Sequence, residues 1–308
     1  MNLTGTTDLH RLYREACAMD VIAFKPGNVS YASPGHGMNA DTFVLSAQAS
    51  AAAMTAPDRN LGERILGAVT ATQTAVGCNS NLGIVLLCAP LCQAVLDFPQ
   101  HGLREGVSRV LGNTSVADSL AVYEAIRIAA PGGLGQVGDH DVAGGTRLTL
   151  TDVMRYAADR DLVAAQYANG FAELFDKAMP YLEAAMRRHG STTDAVSSLF
   201  LFLLSQYPDT HIRRKYGQDT ARRVSRTARD VRAAWEDASH PGQAQRQLVA
   251  FDEQLKSAGL NPGTTADFCV TCLFLHHLHQ QADLNPGDTR NHSREPQPIS
   301  ARCSAHVD

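Results

Sequence analysis

Residues 9–23, LHRLYREACAMDVIA, place Leu9, Leu12, Ala16, Met19 and Ala23 at steps of three and four. That interval gathers the apolar side chains on one face of an α-helix, whereas a strand would alternate at every second residue. The same spacing recurs over 41–55, 61–77, 82–96, 114–129, 152–189, 192–206, 218–238, 243–258 and 265–281. No stretch alternates long enough to specify a strand. Helix starts are marked as well: Thr264 stands three residues before Asp267 and Ser191 three before Asp194, the spacing of a capping box with Asp in place of Glu. The fold expected is all-α, a single domain of about ten or more helices over residues 1–282. Beyond residue 282 the chain turns polar and proline-punctuated, and residues 283–308 read as a disordered tail.

Composition narrows the function. The 308 residues are 44% hydrophobic and 19% charged, enough to bury a large core without a disulfide or metal staple. The formal charge of −4 argues against nucleic-acid binding by bulk charge, and 6% aromatics argue against stacking platforms for single strands. The N-terminal stretch MNLTGTTDLHRLYREACAMD lacks the apolar run of a signal peptide. The longest apolar stretches, such as 82–91 and 199–204, fall short of the ~20 residues of a membrane span. Seven cysteines, an odd number scattered along the chain, read as reduced thiols in a cytoplasmic protein. Cys269 and Cys272 with His276 and His279 have a zinc-like look, but steps of three, four and three put them on one helical face, which cannot wrap a tetrahedral ion.

The breaks between helices carry the chemistry. Gly133-Leu-Gly135-Gln-Val-Gly138 spells GxGxxG but follows Pro131 and a helical segment rather than a buried strand, so a Rossmann site is not expected. There is no phosphate loop of the GxxxxGK[ST] type and no GxSxG elbow. What remains is a set of short loops at helix starts, Asn81-Leu82-Gly83 and Pro262-Gly263-Thr264-Thr265 among them. Exposed backbone N–H groups at the positive end of a helix suit phosphate oxygens, although ordinary capping explains either loop alone. Lys25, Arg213, Arg214 and Lys215 are the cations in these breaks, and Asp41, Asp139, Asp141, Asp209 and Asp267 the acids. Asp139 and Asp141, at i and i+2 in a Gly-rich loop, can hold a Mg²⁺ that bridges phosphates or form an Asx turn. Arg214 reads as a member of a solvated surface run.

Six short motifs in fixed order then resemble one family. They are Lys25-Pro26-Gly27-Asn28, Asp41-x-Phe43-x-x-Ser46, Asn81-Leu82-Gly83-Ile84, Gly132-Gly133-Leu134-Gly135, the stretch Asp209-Thr210-His211-Ile212-Arg213-Arg214-Lys215-x-Gly217, and Asn261-Pro262-Gly263-Thr264-Thr265-Ala266-Asp267. Over about residues 8–280 the chain is similar to the triphosphoribosyl-dephospho-CoA synthases, and its wording resembles the archaeal-type branch found also in methylotrophs. Asn79-Ser80-Asn81-Leu82-Gly83 stands where better-known members carry a Thr-His-Lys-Gly type motif, and GGLG stands in place of an Arg-Gly-Glu loop. The resemblance implies an all-helical transferase that moves a triphosphoribosyl group from ATP to a hydroxyl of dephospho-CoA and releases adenine, with Mg²⁺ expected. The α-phosphoribosyl bond of tetrahydromethanopterin-type cofactors offers an analogous second acceptor, and a non-catalytic binder of a phosphorylated cofactor is the rival of another class.

On that reading Lys25, Asn28, Asn81, Gly83, Gly133, Gly135, Arg213, Lys215, Gly263, Thr264 and Thr265 are the candidate phosphate or nucleotide contacts. Asp41, Asp209, His211 and Asp267 are the candidate catalytic groups, and Asp139, Asp141 and Asp209 the candidate metal ligands. The expected partners are small nucleotide and coenzyme substrates, with no nucleic acid and no membrane; a homo-oligomer is compatible with the sequence.

Overall fold

The computed structural model of the chain describes residues 6–133, 145–237 and 241–284. These residues form fourteen α-helices and one π-helical turn, with no strand among them. The helices are α1 (Thr6–Ile22), α2 (Ala40–Thr55), α3 (Leu61–Val76), α4 (Leu82–Asp97), α5 (Leu103–Gly112), α6 (Val116–Ala129), α7 (Leu150–Ala157), α8 (Leu162–Asn169), α9 (Met179–His189), α10 (Thr192–Gln206), α11 (Thr210–Tyr216), α12 (Gln218–Glu236), α13 (Pro241–Ser257) and α14 (Gly263–Leu284). The π-helical turn, Leu174–Ala178, runs directly into α9. The expected all-α class is the one observed. The disordered reading of residues 283–308 falls almost wholly outside the described residues, apart from Asp283 and Leu284 at the end of α14.

Two helices make the axis of the body. From Ile84 to Val95 every residue of α4 but Gln93 is buried, so this helix has no polar face to give to solvent. It packs on α14, which also meets α1, α9 and α10, and whose Phe268, Leu273, Phe274 and Leu278 lie in the same core. Pro90 sits inside α4 and cannot donate to the carbonyl of Leu86 four residues back. The phenol of Tyr167, buried on α8, fills that vacancy by donating to Leu86 O at 2.6 Å. A break in the helical ladder is thereby converted into a tie between helices. Arg64 of α3 does comparable work at the end of α2, where its fully buried guanidinium donates to Met54 O at 2.7 Å and Ala56 O at 2.9 Å.

Three departures from the sequence expectation have identifiable causes. The segment 152–189 divides, because Asp161 caps a new helix through Val163 N and Ala164 N and Gly170 closes it in the left-handed conformation. Helix α5 adds an amphipathic turn whose Leu103, Val107, Val110 and Leu111 face the core. Helix α11 forms in the charged stretch that reads as a loop; Asp209 caps it at Ile212 N and Arg213, Arg214 and Lys215 occupy its last turn, where cations suit the negative end of the helix.

Candidate functional site

The break residues converge on one cavity of about 580 Å³, placed where α4 and α14 begin and α1 and α6 end. Apolar side chains from several helices, Leu82, Leu86, Ile126, Met154 and Val163, form part of its wall. Arg213, Arg214 and Lys215 of α11, with Arg160 at the entry to α8, bring cations to its lining. Asp20 from the last turn of α1 and Asp267 from the first turns of α14 bring acids to it.

The cations are not equivalent. Arg214 donates to Asp161 Oδ2 and Gly132 O, at 3.3 and 3.2 Å, so it is clamped in the wall and is not the solvated surface residue expected. Arg213 donates to Asp159 O at 2.9 Å and still lines the cavity. Lys215, exposed at the rim, has no hydrogen-bonded or ionic partner among the described residues.

Asp209 and Asp267 divide two different tasks. Asp209 is fully buried and does not line the cavity. Its Oδ1 accepts from Ile212 N at 3.0 Å, while its Oδ2 accepts from Thr265 N and Thr265 Oγ1, both at 2.8 Å. One carboxylate therefore caps α11 and also binds the first turn of α14. Burial raises its pKa against the opposing pull of those donors. This carboxylate displaces the capping box expected from Thr264: the Thr264 hydroxyl instead accepts from Thr210 Oγ1 at 3.1 Å. Asp267, released from capping, turns its carboxyl to the cavity with no hydrogen-bonded partner among the described residues. Burial first, then the charges of Asp20 and Asp209, holds that carboxyl well above the usual carboxylate range. Residue 83 must be glycine for it to fit there, since a β-carbon would overlap Asp267 Oδ2.

His211 stands on α11 beside the cationic run. Burial, and then the charges of Lys215, Arg214 and His36, push it down to about 4, so its ring is neutral at pH 7. Asn28 is buried in the wall, donating through Nδ2 to Asn261 Oδ1 at 2.9 Å and leaving its own Oδ1 without a partner.

Of the expected residues, the cavity therefore collects Asn28, Gly83, Gly133, His211, Arg213, Lys215, Gly263, Thr264 and Asp267. Lys25, Asn81, Asp209 and Thr265 are buried behind it. Lys25 is paired with Asp20 Oδ1 at 3.1 Å and also donates to Asp20 O, so it anchors a wall residue rather than facing the cavity. Asn81 donates weakly to Ser46 O and Ser50 Oγ, at 3.5 and 3.4 Å. Asp41 lies exposed in the first turn of α2, away from the lining. Gly135, Asp139 and Asp141 fall outside the described residues. Among the described residues no group of three or more His, Cys, Asp or Glu side chains is placed to hold a metal ion, and both Asp209 oxygens are occupied, so its geometry does not fit a Mg²⁺ ligand.

Sequence reasoning missed Asp20, His36, Arg160 and Asp161. A signal existed for Asp20: an acid in the last turn of a helix opposes the helix dipole and calls for a cation, here Lys25. Asp161 was hidden by the reading of 152–189 as one helix.

These features define a class: an all-α protein with a charged cleft assembled from helix ends. A model of the CitG family, ATP:dephospho-CoA triphosphoribosyl transferase, matches residues 6–286, and the chain belongs to that family of transferases. The fold is similar to the crystal structure of a protein from Archaeoglobus fulgidus described as a triphosphoribosyl-dephospho-CoA synthase, with a TM-score of 0.57 and 26% identity over 75% of this chain and 95% of that one. No curated protein matches the sequence.

Proposed function

We propose that the protein transfers the triphosphoribosyl group of ATP to a ribose hydroxyl of dephospho-CoA and releases adenine. The observation that carries this reading is the presence, in the lining of one cavity, of an unpartnered carboxyl on Asp267 and the cations of α11. Breaking the ribosyl C1–N bond of ATP leaves electrons on adenine and positive charge on the sugar. A carboxyl whose hold on its proton is strengthened by burial and by neighbouring acids is suited to give that proton to the departing base, the role of Asp267. Asp20, held by its ion pair with Lys25, places a carboxylate in the cavity lining to face the positive sugar. Lys215 and Arg213 receive the triphosphate, Arg214 braces that wall through Asp161, and Asn28 Oδ1 offers an acceptor to a sugar hydroxyl.

Mg²⁺ fits the reading as a companion of the triphosphate, with Asp139 and Asp141, which follow the cavity-lining Gly132 and Gly133 in sequence, as its proposed carboxylates. The six described cysteines are free thiols, which supports a cytoplasmic setting. The test is chromatographic. Purified protein with ATP, Mg²⁺ and dephospho-CoA is expected to release adenine in step with a heavier coenzyme product. A parallel arm replaces dephospho-CoA with a pterin-ribitol acceptor. Absence of adenine in every arm would sink the transfer reading; adenine only with the pterin would reassign the acceptor.

A further inference from the structure

The connection between α1 and α2 contains a turn whose strain demands an explanation. Gly35 and Met38 bridge each other, Met38 N donating to Gly35 O at 3.0 Å, and the two residues between them, His36 and Gly37, have φ of +56° and +74°. Two successive left-handed residues are the pattern of a type I′ turn, which favours Asn or Gly at both positions. A histidine there costs on the order of 1 kcal/mol relative to those residues. Such strain persists where the surroundings over-determine it, and it gathers at functional sites.

The surroundings do over-determine it. Asp252 of α13 accepts from Gly27 N at 2.7 Å and from Ser33 Oγ at 2.6 Å, and Lys256, one turn on, donates to Ser33 O at 2.8 Å. Asp252 and Lys256 are themselves an ion pair at 3.2 Å. The connection is thus fastened from outside the cavity while His36 forms part of the cavity lining. Its Nε2 lies 2.8 Å from Gly27 O, and a carbonyl can only accept, so Nε2 carries the proton. In the neutral ring the lone pair is then on Nδ1, which has no protein partner among the described residues.

We infer that His36 is the base that takes the proton of the acceptor hydroxyl. The assignment rests on the transfer reading above. In the step, the acceptor oxygen forms a bond to C1 of the ribosyl group as the C1–N bond breaks. The electron pair of that bond leaves with adenine, which takes the proton of Asp267, and the hydroxyl proton moves to His36 Nδ1. His36 is exposed at the mouth, so solvent can remove the proton after each turnover. His211, more enclosed in the same wall, is a weak base, since its conjugate acid forms only near pH 4.

The test uses two variants that the left-handed backbone tolerates, His36→Asn and His36→Gly, with adenine release measured by chromatography. His36→Asn keeps an N–H for Gly27 O and removes the basic nitrogen. The expectation is a fall in kcat of about 10²-fold or more, a KM for ATP little changed, an unchanged or slightly raised thermal midpoint, and partial recovery of His36→Gly by added imidazole. A His36→Asn enzyme within about tenfold of the wild-type kcat, or a loss that appears in KM and resists imidazole, overturns the assignment. Wild-type protein that releases no adenine overturns the donor and acceptor reading instead, so the two failures are distinct.

Discussion

The starts of α11 and α14 each carry an aspartate whose pKa is raised, Asp209 fully buried and Asp267 half-buried, and the two are built oppositely. Asp209 has an N–H or hydroxyl donor on each oxygen and no access to the cavity. Asp267 has cavity access and no donor. A buried carboxylate with its hydrogen bonds made holds structure together, whereas one left without them is a standing cost that folding alone does not repay. The residue whose removal should relieve the fold is therefore the one to place at the chemistry.

Breaking that contrast gives the largest expected effect. Asp267→Asn keeps the shape of the side chain and removes its acid, so turnover should fall by about 10²- to 10⁴-fold. Stability should move the other way. The carboxyl of Asp267 is held above its unfolded pKa, so the folded chain binds the extra proton, and the stability linked to it declines as pH rises through the unfolded value. Thermal melts of Asp267→Asn and wild type should therefore separate at pH 7, with the variant higher, and converge near pH 4. A variant that is both active and less stable would reverse the assignment of the two aspartates.

Asp209→Ala should show the complementary behaviour. It strips the cap of α11 and the tie to α14 and leaves Thr265 N and Oγ1 without their acceptor. At about 1 kcal/mol per lost cap and more for each buried donor left unpaired, the loss is on the order of 3 kcal/mol. Denaturant unfolding should register it as a lowered midpoint at unchanged slope. Gly83→Ala probes the same junction from α4. Its β-carbon meets the Asp267 carboxyl, so a destabilisation of about 1–3 kcal/mol is expected, and Asp267→Gly in the same chain should recover part of it.

His211 sharpens the comparison through pH. Its pKa of about 4 lies below the ~6.5 of an unfolded histidine. Between those values the unfolded chain binds more protons, so stability is full above about pH 6.5 and declines as pH falls toward 4. The whole swing is no more than about 3 kcal/mol, reduced where solvent screens the ring. Unfolding free energies at pH 7 and 5 should differ less in His211→Gln than in wild type; equal differences would remove the histidine from the pH response.

How much of this was readable in advance depends on whether the determinant is local. The apolar face of α1 imposes its period on the sequence, α4 and α14 show as long apolar runs, and their starts at Leu82 and Gly263 follow from the Asn-Leu-Gly and Pro-Gly breaks. Helix α11 escapes such reading because its seven residues, three of them charged, offer too little apolar surface; its helical state comes from one capping carboxylate and from neighbours supplied by distant chain. The same limit governs the site. Arg213, Lys215 and Asp267 stand in recognisable motifs. Lys25 also stands in one and yet faces inward, because its partner Asp20 lies on α1 and only the folded chain shows where their ion pair points. Asp161 and Arg160 enter the wall only through a helix break that periodicity obscured.

The smallest expected effect isolates binding from both folding and chemistry. Arg214 and Lys215 are adjacent in sequence, but Arg214 is tied to Asp161 and Gly132 O while Lys215 is untied. Truncating a surface cation with no partner leaves stability within about 0.5 kcal/mol. A charge-assisted contact to a triphosphate is worth about 1.5–3 kcal/mol, a factor of about 10 to 100 in affinity. Lys215→Ala should therefore raise the KM for ATP by that factor at nearly constant melting temperature, and equilibrium binding of ATP should weaken in parallel, more steeply at low salt than at high. Arg214→Ala must do something else, because it also leaves Asp161 without its cation and loosens the wall at Gly132. Its loss should appear in both stability and kcat. Identical profiles for the two variants would mean that the α11 wall acts as a diffuse positive surface, and the division between a bracing arginine and a ligand-facing lysine would be wrong.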